Sequence, residues 1–176
     1  DALRDLSITK QLSVSMWIHP ISRFTQNNGL MSWSLSTLDY SLISSQSWSL
    51  RLKHSRLCVY FHPSNIAQHS VGCSSIQNPT VSPKQWNHIG FIWDGSFLQI
   101  YINGNVVPLG NTGNGEIERY KQAMSFNTGI SNPSRTLLIG GCKSGHAGCN
   151  ENPSTYNGMI DEVAIFQNAL SSNTFR

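Results

Sequence analysis

From Trp86 to Val107 the chain reads WNHIGFIWDGSFLQIYINGNVV, and no other stretch limits its folding so tightly. Ile89, Phe91 and Trp93 alternate with Gly90, Ile92 and Asp94; Asp94-Gly95-Ser96 interrupts the run, and Phe97 to Ile102 alternates again up to Asn103-Gly104. A period of two in β-branched and aromatic residues marks a strand, and Asp-Gly and Asn-Gly supply the positive φ that tight hairpin turns demand. The stretch therefore predicts an antiparallel meander of at least three strands, continuing into Val106-Val107.

The rest of the chain repeats the pattern. Leu12, Val14, Met16 and Ile18 lie on one face of a strand, with Ser13, Ser15, Trp17 and His19 on the other, until Pro20 ends the ladder. Strand character returns at Leu30–Leu35, Tyr40–Ile43, Trp48–Leu52 and Leu57–Phe61, a spacing of about ten residues that suits an antiparallel sandwich. Shorter strands are expected at Val71–Ile76 and Thr136–Ile139, and a long one over Tyr156–Phe166. Leu109–Gly115 is rich in Gly and Asn and opens a surface excursion, in which Glu116–Met124 has the pattern of a helical turn. Gly140–Pro153 reads as a loop, and Asn168–Phe175 as a short terminal helix. With 176 residues, one domain spanning 1–176 is expected.

Charged residues make up only 12% of the chain, against about 25% in typical soluble domains. Ser, Asn and Gln do much of the solvating, as in extracellular β-sandwiches. The net charge of +3 is scattered along the sequence with no basic cluster, which argues against a nucleic-acid partner. No run of eighteen apolar residues predicts membrane insertion, and the opening Asp-Ala-Leu-Arg is not a signal peptide. The expectation is an extracellular ectodomain, secreted or attached to a larger protein. Cys58, Cys73, Cys142 and Cys149 permit three pairings. Their even count without a Cys-x-x-Cys pair favours disulfides over zinc, and two local bridges, Cys58–Cys73 and Cys142–Cys149, are the preferred arrangement.

Trp86-x-His88, Trp93-Asp-Gly, Tyr101-Ile-Asn-Gly-Asn, Leu137-Leu-Ile-Gly140 and Gly158-Met-Ile-Asp-Glu-Val-Ala-Ile-Phe166 resemble, in order and spacing, the motifs of laminin-G-like and pentraxin-like domains. The resemblance covers most of the chain. It implies an all-β, antiparallel two-sheet jelly-roll sandwich of the concanavalin A-like lectin/glucanase kind, with a short C-terminal helix. Two departures matter. The pentraxin disulfide would join the positions of Ser15 and Gly90, which are not cysteines, and the pentraxin calcium segment corresponds to Gly141-Cys142-Lys143-Ser144, poor in the oxygen ligands that calcium needs. A pentraxin-type calcium pair is therefore not expected. A single calcium of the laminin-G kind stays open, with its ligands unassigned.

Catalytic chemistry finds little support. Glycoside hydrolases need two facing carboxylates, and the Glu-x-Asp-x-x-Glu signature of the related enzymes is missing. Glu116-Ile-Glu118 lacks a third acid, and the adjacent Asp161 and Glu162 would point to opposite faces of a regular strand. Neither Gly-x-Ser-x-Gly nor metal-ligand spacing among the histidines occurs, and His88 is expected to pack and to hydrogen-bond. Trp17, Trp33, Trp86 and Trp93 are expected in the core, with Trp48, Tyr120 and Tyr156 freer. The reading is a non-enzymatic recognition module that binds an extracellular protein or a glycan through rim loops, and homo-oligomers are compatible with it. A carbohydrate-binding module of a secreted enzyme or toxin is the runner-up, and a hydrolase comes third. The expected contacts lie in Gly110–Glu118 and Cys142–Asn152 and beside them: Asn111, Asn114, Glu116, Glu118, Tyr120, Lys143, His146, Asn150, Glu151, Asn152 and Tyr156.

Overall fold

A computed structural model describes residues 11–22, 27–35, 47–62, 70–75, 81–95, 97–110, 135–142 and 154–175. The strands are β1 (Leu12–Pro20), β2 (Asn27–Leu35), β3 (Ser47–Lys53), β4 (Arg56–His62), β5 (Ser70–Cys73), β6 (Asn87–Trp93), β7 (Leu98–Ile102), β8 (Asn105–Val107), β9 (Arg135–Ile139), β10 (Gly141–Cys142), β11 (Ser154–Thr155) and β12 (Gly158–Phe166). Two five-stranded antiparallel sheets, ordered β12-β1-β6-β7-β8 and β5-β4-β3-β2-β9, form the sandwich, and β10-β11 is a two-stranded ladder beside them.

Alternation builds the core. Leu12, Val14, Met16 and Ile18 of β1, with Ile89, Phe91 and Trp93 of β6 and Leu98, Ile100 and Ile102 of β7, meet Trp48, Leu50, Leu52, Leu57, Val59 and Phe61 of the second sheet. Phe91 is central to the contact: Trp48 and Phe61 both reach it edge-on, at 5.9 and 6.0 Å between ring centroids. Trp48 is thus a core residue and not the free aromatic the sequence suggested. Its neighbours Leu50 and Leu52 have the same parity, and that parity decides its direction.

The meander has the expected form. Asn103 and Gly104 turn β7 into β8 with φ of 51° and 76°, the two positive values that a tight hairpin connection requires. Between β6 and β7, the Asp94 carboxylate accepts from the Phe97 amide at 2.6 Å. A third tight turn joins β3 to β4 through His54 and Ser55, also at positive φ. Ser15 stands directly opposite Gly90, so the two positions matching the pentraxin bridge are neighbours across the ladder. Cys58 and Cys73, opposite each other on β4 and β5, form the first expected disulfide. Closing fifteen residues in this way stabilises by about 3 kcal/mol in chain-entropy terms. The second expected bridge involves Cys149, outside the described residues, as are the expected strand at Tyr40–Ile43 and the helical turn at Glu116–Met124.

Two expectations are corrected. In place of a terminal helix over Asn168–Phe175 there is one turn of 3₁₀ helix, Ser172–Phe175. The Ala169 amide donates to Gln11 Oε1 and the Leu170 amide to Ser13 Oγ, so the start of this segment is tied to β1 before a helix can begin. Ala169 and Leu170 then pack on Ile92 and Tyr101, covering one end of the first sheet's outer face. In β12, Asp161 and Glu162 are both exposed. The register slips between Ser15 and Trp17, and Glu162 takes φ of 48°; a β-bulge has cancelled the alternation that would have separated the two acids.

Candidate ligand-binding surface

The outer face of the first sheet remains open at the end away from Leu170, and there it is aromatic. Trp17 pairs with His88 on β6 and with Asp161 on β12, while the backbone of His88 exchanges contacts with Asn103: the Asn103 amide donates to the His88 carbonyl at 2.7 Å, and Asn103 Oδ1 accepts from the His88 amide at 2.9 Å. Asp161, Trp17, His88 and Asn103 thus form a row across the sheet. A second row runs Met159, His19 and Trp86. At ordinary strand spacing the array covers about 14 Å by 7 Å. Trp17 is 36%, Trp86 43% and Met159 51% exposed, well above anything in the core.

Each ring is held. The Trp17 and His88 rings lie 5.0 Å apart between centroids, tilted by 31°, and Ser15 Oγ is 2.7 Å from His88 Nε2. Trp86 meets His19 edge-on at 5.5 Å. Trp86 precedes β6 and owes its place to Asn87, which is fully buried: its Nδ2 donates to the carbonyls of Ser82 and Gln85 and its Oδ1 accepts from the Ser82 amide. The Lys84 amide donates to the Pro20 carbonyl at 2.7 Å, tying this turn to the end of β1. Burial lowers the His88 pKa below its usual value, with Glu162 opposing the shift. The imidazole is therefore neutral at pH 7 and presents a flat face beside Trp17. His19 Nδ1 is buried with no hydrogen-bond partner.

Such an array can bind apolar ring faces on Trp17 and Trp86, and orient polar groups at its margin through Asp161, Glu162 and Asn103. The sequence placed Trp17 and Trp86 in the core; the structure corrects both. For Trp17 the signal was available, because its strand parity matches Ser13 and Ser15. Trp86 lies outside the alternating run and no local pattern foretold its exposure. His88 packs and hydrogen-bonds as expected. Of the rim residues expected from sequence, Tyr156 is described: it packs half-buried against the core, and burial raises its pKa. A Cβ at Gly158 would stand 2.6 Å from the Tyr156 ring, so glycine is needed there for the ring to lie down. Asn111, Asn114, Glu116, Glu118, Tyr120, Lys143, His146, Asn150, Glu151 and Asn152 lie outside the described residues. Among those described, no group of three metal-ligating side chains occurs.

A laminin-G-type family model, described as the concanavalin A-like lectin/glucanases superfamily, matches residues 2–174. No curated protein matches the chain. Among solved structures, a carbohydrate-binding module of family 40 from the Ruminococcus gnavus IT-sialidase, bound to α2,3 sialyllactose, superposes with a TM-score of 0.65 at 12% identity, over 97% of this chain and 83% of that one. The heptameric SAP-like pentraxin of Limulus polyphemus gives 0.56 at 17%, over 95% and 68%. Domains LG4-5 of the mouse laminin α1 chain give 0.60 at 13%, over 96% and 39%.

Proposed function

This chain belongs to the concanavalin A-like lectin/glucanases superfamily, and from that premise we propose that it is a non-catalytic extracellular module which binds a glycan on the outer face of its first sheet. The observation that carries the reading is the exposure of Trp17 and Trp86 in one array with His19, His88 and Met159. An exposed tryptophan on a rigid strand costs solubility and adds nothing to the core; a sugar ring stacked on it recovers the apolar contact. Asp161, Glu162 and Asn103 supply acceptors for hydroxyl groups around the stack. Asp161 and Glu162 are sequence neighbours on one strand, an arrangement unlike the facing carboxylates of a glycosidase. Structural neighbours that are carbohydrate-binding modules support the ligand class, and the Cys58–Cys73 disulfide supports the extracellular setting. The rim loops Gly110–Glu118 and Cys142–Asn152 would contribute secondary contacts at the strand ends.

The test is a glycan array read with the wild type and with Trp17→Ala and Trp86→Ala, each checked for its melting temperature. Both side chains are exposed, so the variants should melt as the wild type does. Truncating an aromatic anchor costs roughly 2 kcal/mol, or about thirtyfold in affinity. Wild-type glycan binding by the double variant would overturn the reading.

A further inference from the structure

The aromatic array on the first sheet carries negative charge along one margin. Asp161 and Glu162 of β12 are both exposed, and Asp161 stands directly opposite Trp17 on β1. They share a face because of the bulge. Three steps on β12, from Asp161 to Ala164, match two on β1, from Trp17 to Ser15, so Glu162 and Val163 together oppose Met16. Val163 packs on the core, and Glu162, at φ of 48°, is turned outward beside Asp161. A regular strand would have sent one of the two acids inward. Glutamate is held there against its own backbone preference, and strain of this kind collects where a side chain has to be aimed. Asp161 Oδ1 accepts from the Glu162 amide at 2.8 Å, which holds the Asp161 carboxylate at the bulge.

The Glu162 carboxylate acts on His88, two strands away on β6, opposing the effect of burial on that ring. Trp17, on the strand between them, lies 5.0 Å from the His88 ring, so it stands within the same field. No Lys or Arg occurs in the five strands of this sheet. Lys84 is exposed in the turn before Trp86, at the corner of the array diagonally opposite Asp161. An indole flanked by carboxylates attracts a cation in two ways. The negative face of the ring draws a cation lying within about 6 Å of its centroid, and carboxylates accept charge-assisted hydrogen bonds from N–H donors. To an anion both groups are repulsive. A sugar stacked on Trp17 presents its ring substituents at the edge of the stack, about 5 Å from the strand that carries Asp161.

We propose that the platform selects its sugar by charge: it takes an unacetylated hexosamine, stacked on Trp17 with its ammonium group against the carboxylates of Asp161 and Glu162, and disfavours sugars that carry a carboxylate or a sulfate. This rests on the reading of the face as a glycan platform and adds the class of sugar. The bulge in β12 is then a specificity device, because it supplies the second carboxylate.

The experiment is calorimetry at about pH 6, where a hexosamine amine is protonated, with a β1,4-linked glucosamine trimer, its N-acetylated counterpart, 3′-sialyllactose and lactose. It uses the wild type, Asp161→Asn, Glu162→Gln, their double variant and Trp17→Ala. The wild type should bind the glucosamine trimer about tenfold more tightly than the N-acetylated one in low salt, and added sodium chloride should shrink the preference. It should bind 3′-sialyllactose no more tightly than lactose. The amide variants keep the shape and remove the charge, so the double variant should bind the two trimers alike. If the double variant does not fold, Asp161→Asn alone should still reduce the preference several-fold. Trp17→Ala should lose both trimers. A wild type that binds the two trimers equally, or binds neither, would overturn the proposal and leave the glycan platform to its own test. So would tighter binding of 3′-sialyllactose than of lactose. A preference that persists in the double variant, or at full strength in Trp17→Ala, would overturn it as well, because the amine would then be held by other groups.

Discussion

Trp17 and Trp93 are the same side chain put to opposite uses by strand parity. Trp93 shares its face with Ile89 and Phe91 and is fully buried, while Trp17 shares its face with Ser13 and Ser15 and emerges. His88 stands beside Trp17 and makes the residue scale measurable. Its pKa in the folded chain is lowered by burial, with Glu162 opposing, from an ordinary 6.5. The unfolded chain therefore takes up its proton first as pH falls. The His88 contribution to stability is complete above about pH 6.5 and is lost as the pH drops through that value toward the folded pKa. Melting curves between pH 7.5 and 5 should show the wild type losing stability with a slope that His88→Gln reduces. Identical slopes would remove His88 as the source. Parity was legible along β1, β3 and β6, and Trp17 and Trp48 were misjudged where it was not applied to them.

At the scale of elements, the turns were the most legible part of the chain and the bulge the least. Asn103-Gly104 announces its backbone by composition, because asparagine and glycine tolerate positive φ. Glu162 announces nothing, since glutamate has no preference for φ of 48°; the register of β1 against β12 imposes it. Non-glycine residues held in that region cost roughly 1 to 2 kcal/mol. Glu162→Gly should accordingly be neutral or stabilise by up to ~1 kcal/mol in denaturant unfolding, although glycine in a regular strand weakens it. A clear loss of stability in that variant would mean that Glu162 contributes more through its side chain than the bulge costs. The absent terminal helix has a similar cause. Ser13 and Gln11, more than 150 residues earlier, capture the backbone there, and no local pattern can report a partner so distant in sequence.

At the scale of the whole molecule, the sandwich sorts its charges. A net charge of +3 scattered along the sequence shows no basic patch, yet strand pairing gathers buried Arg51 with Lys53 and Arg56 on the side of the second sheet away from the core, while Asp161 and Glu162 border the aromatic array on the first. Charge clustering of this kind belongs to register, so it becomes visible only when β3 and β4 are set side by side. The two faces are separated by the sheets and by a core about 10 Å thick. Substitutions that far apart, with no shared partner, act independently to within about 0.3 to 0.5 kcal/mol. The platform and the buried Arg51 should therefore separate in a crossed experiment. Trp17→Ala should lose binding to a neutral glycan; Arg51→Met should keep it; the double variant should lose it by the amount that Trp17→Ala does. If Arg51→Met also abolished neutral-glycan binding, with its melting temperature unchanged, the faces would be coupled through the core. Trp48 and Phe61 both rest on Phe91 at that sheet-to-sheet contact, and it is the element that such coupling would have to use.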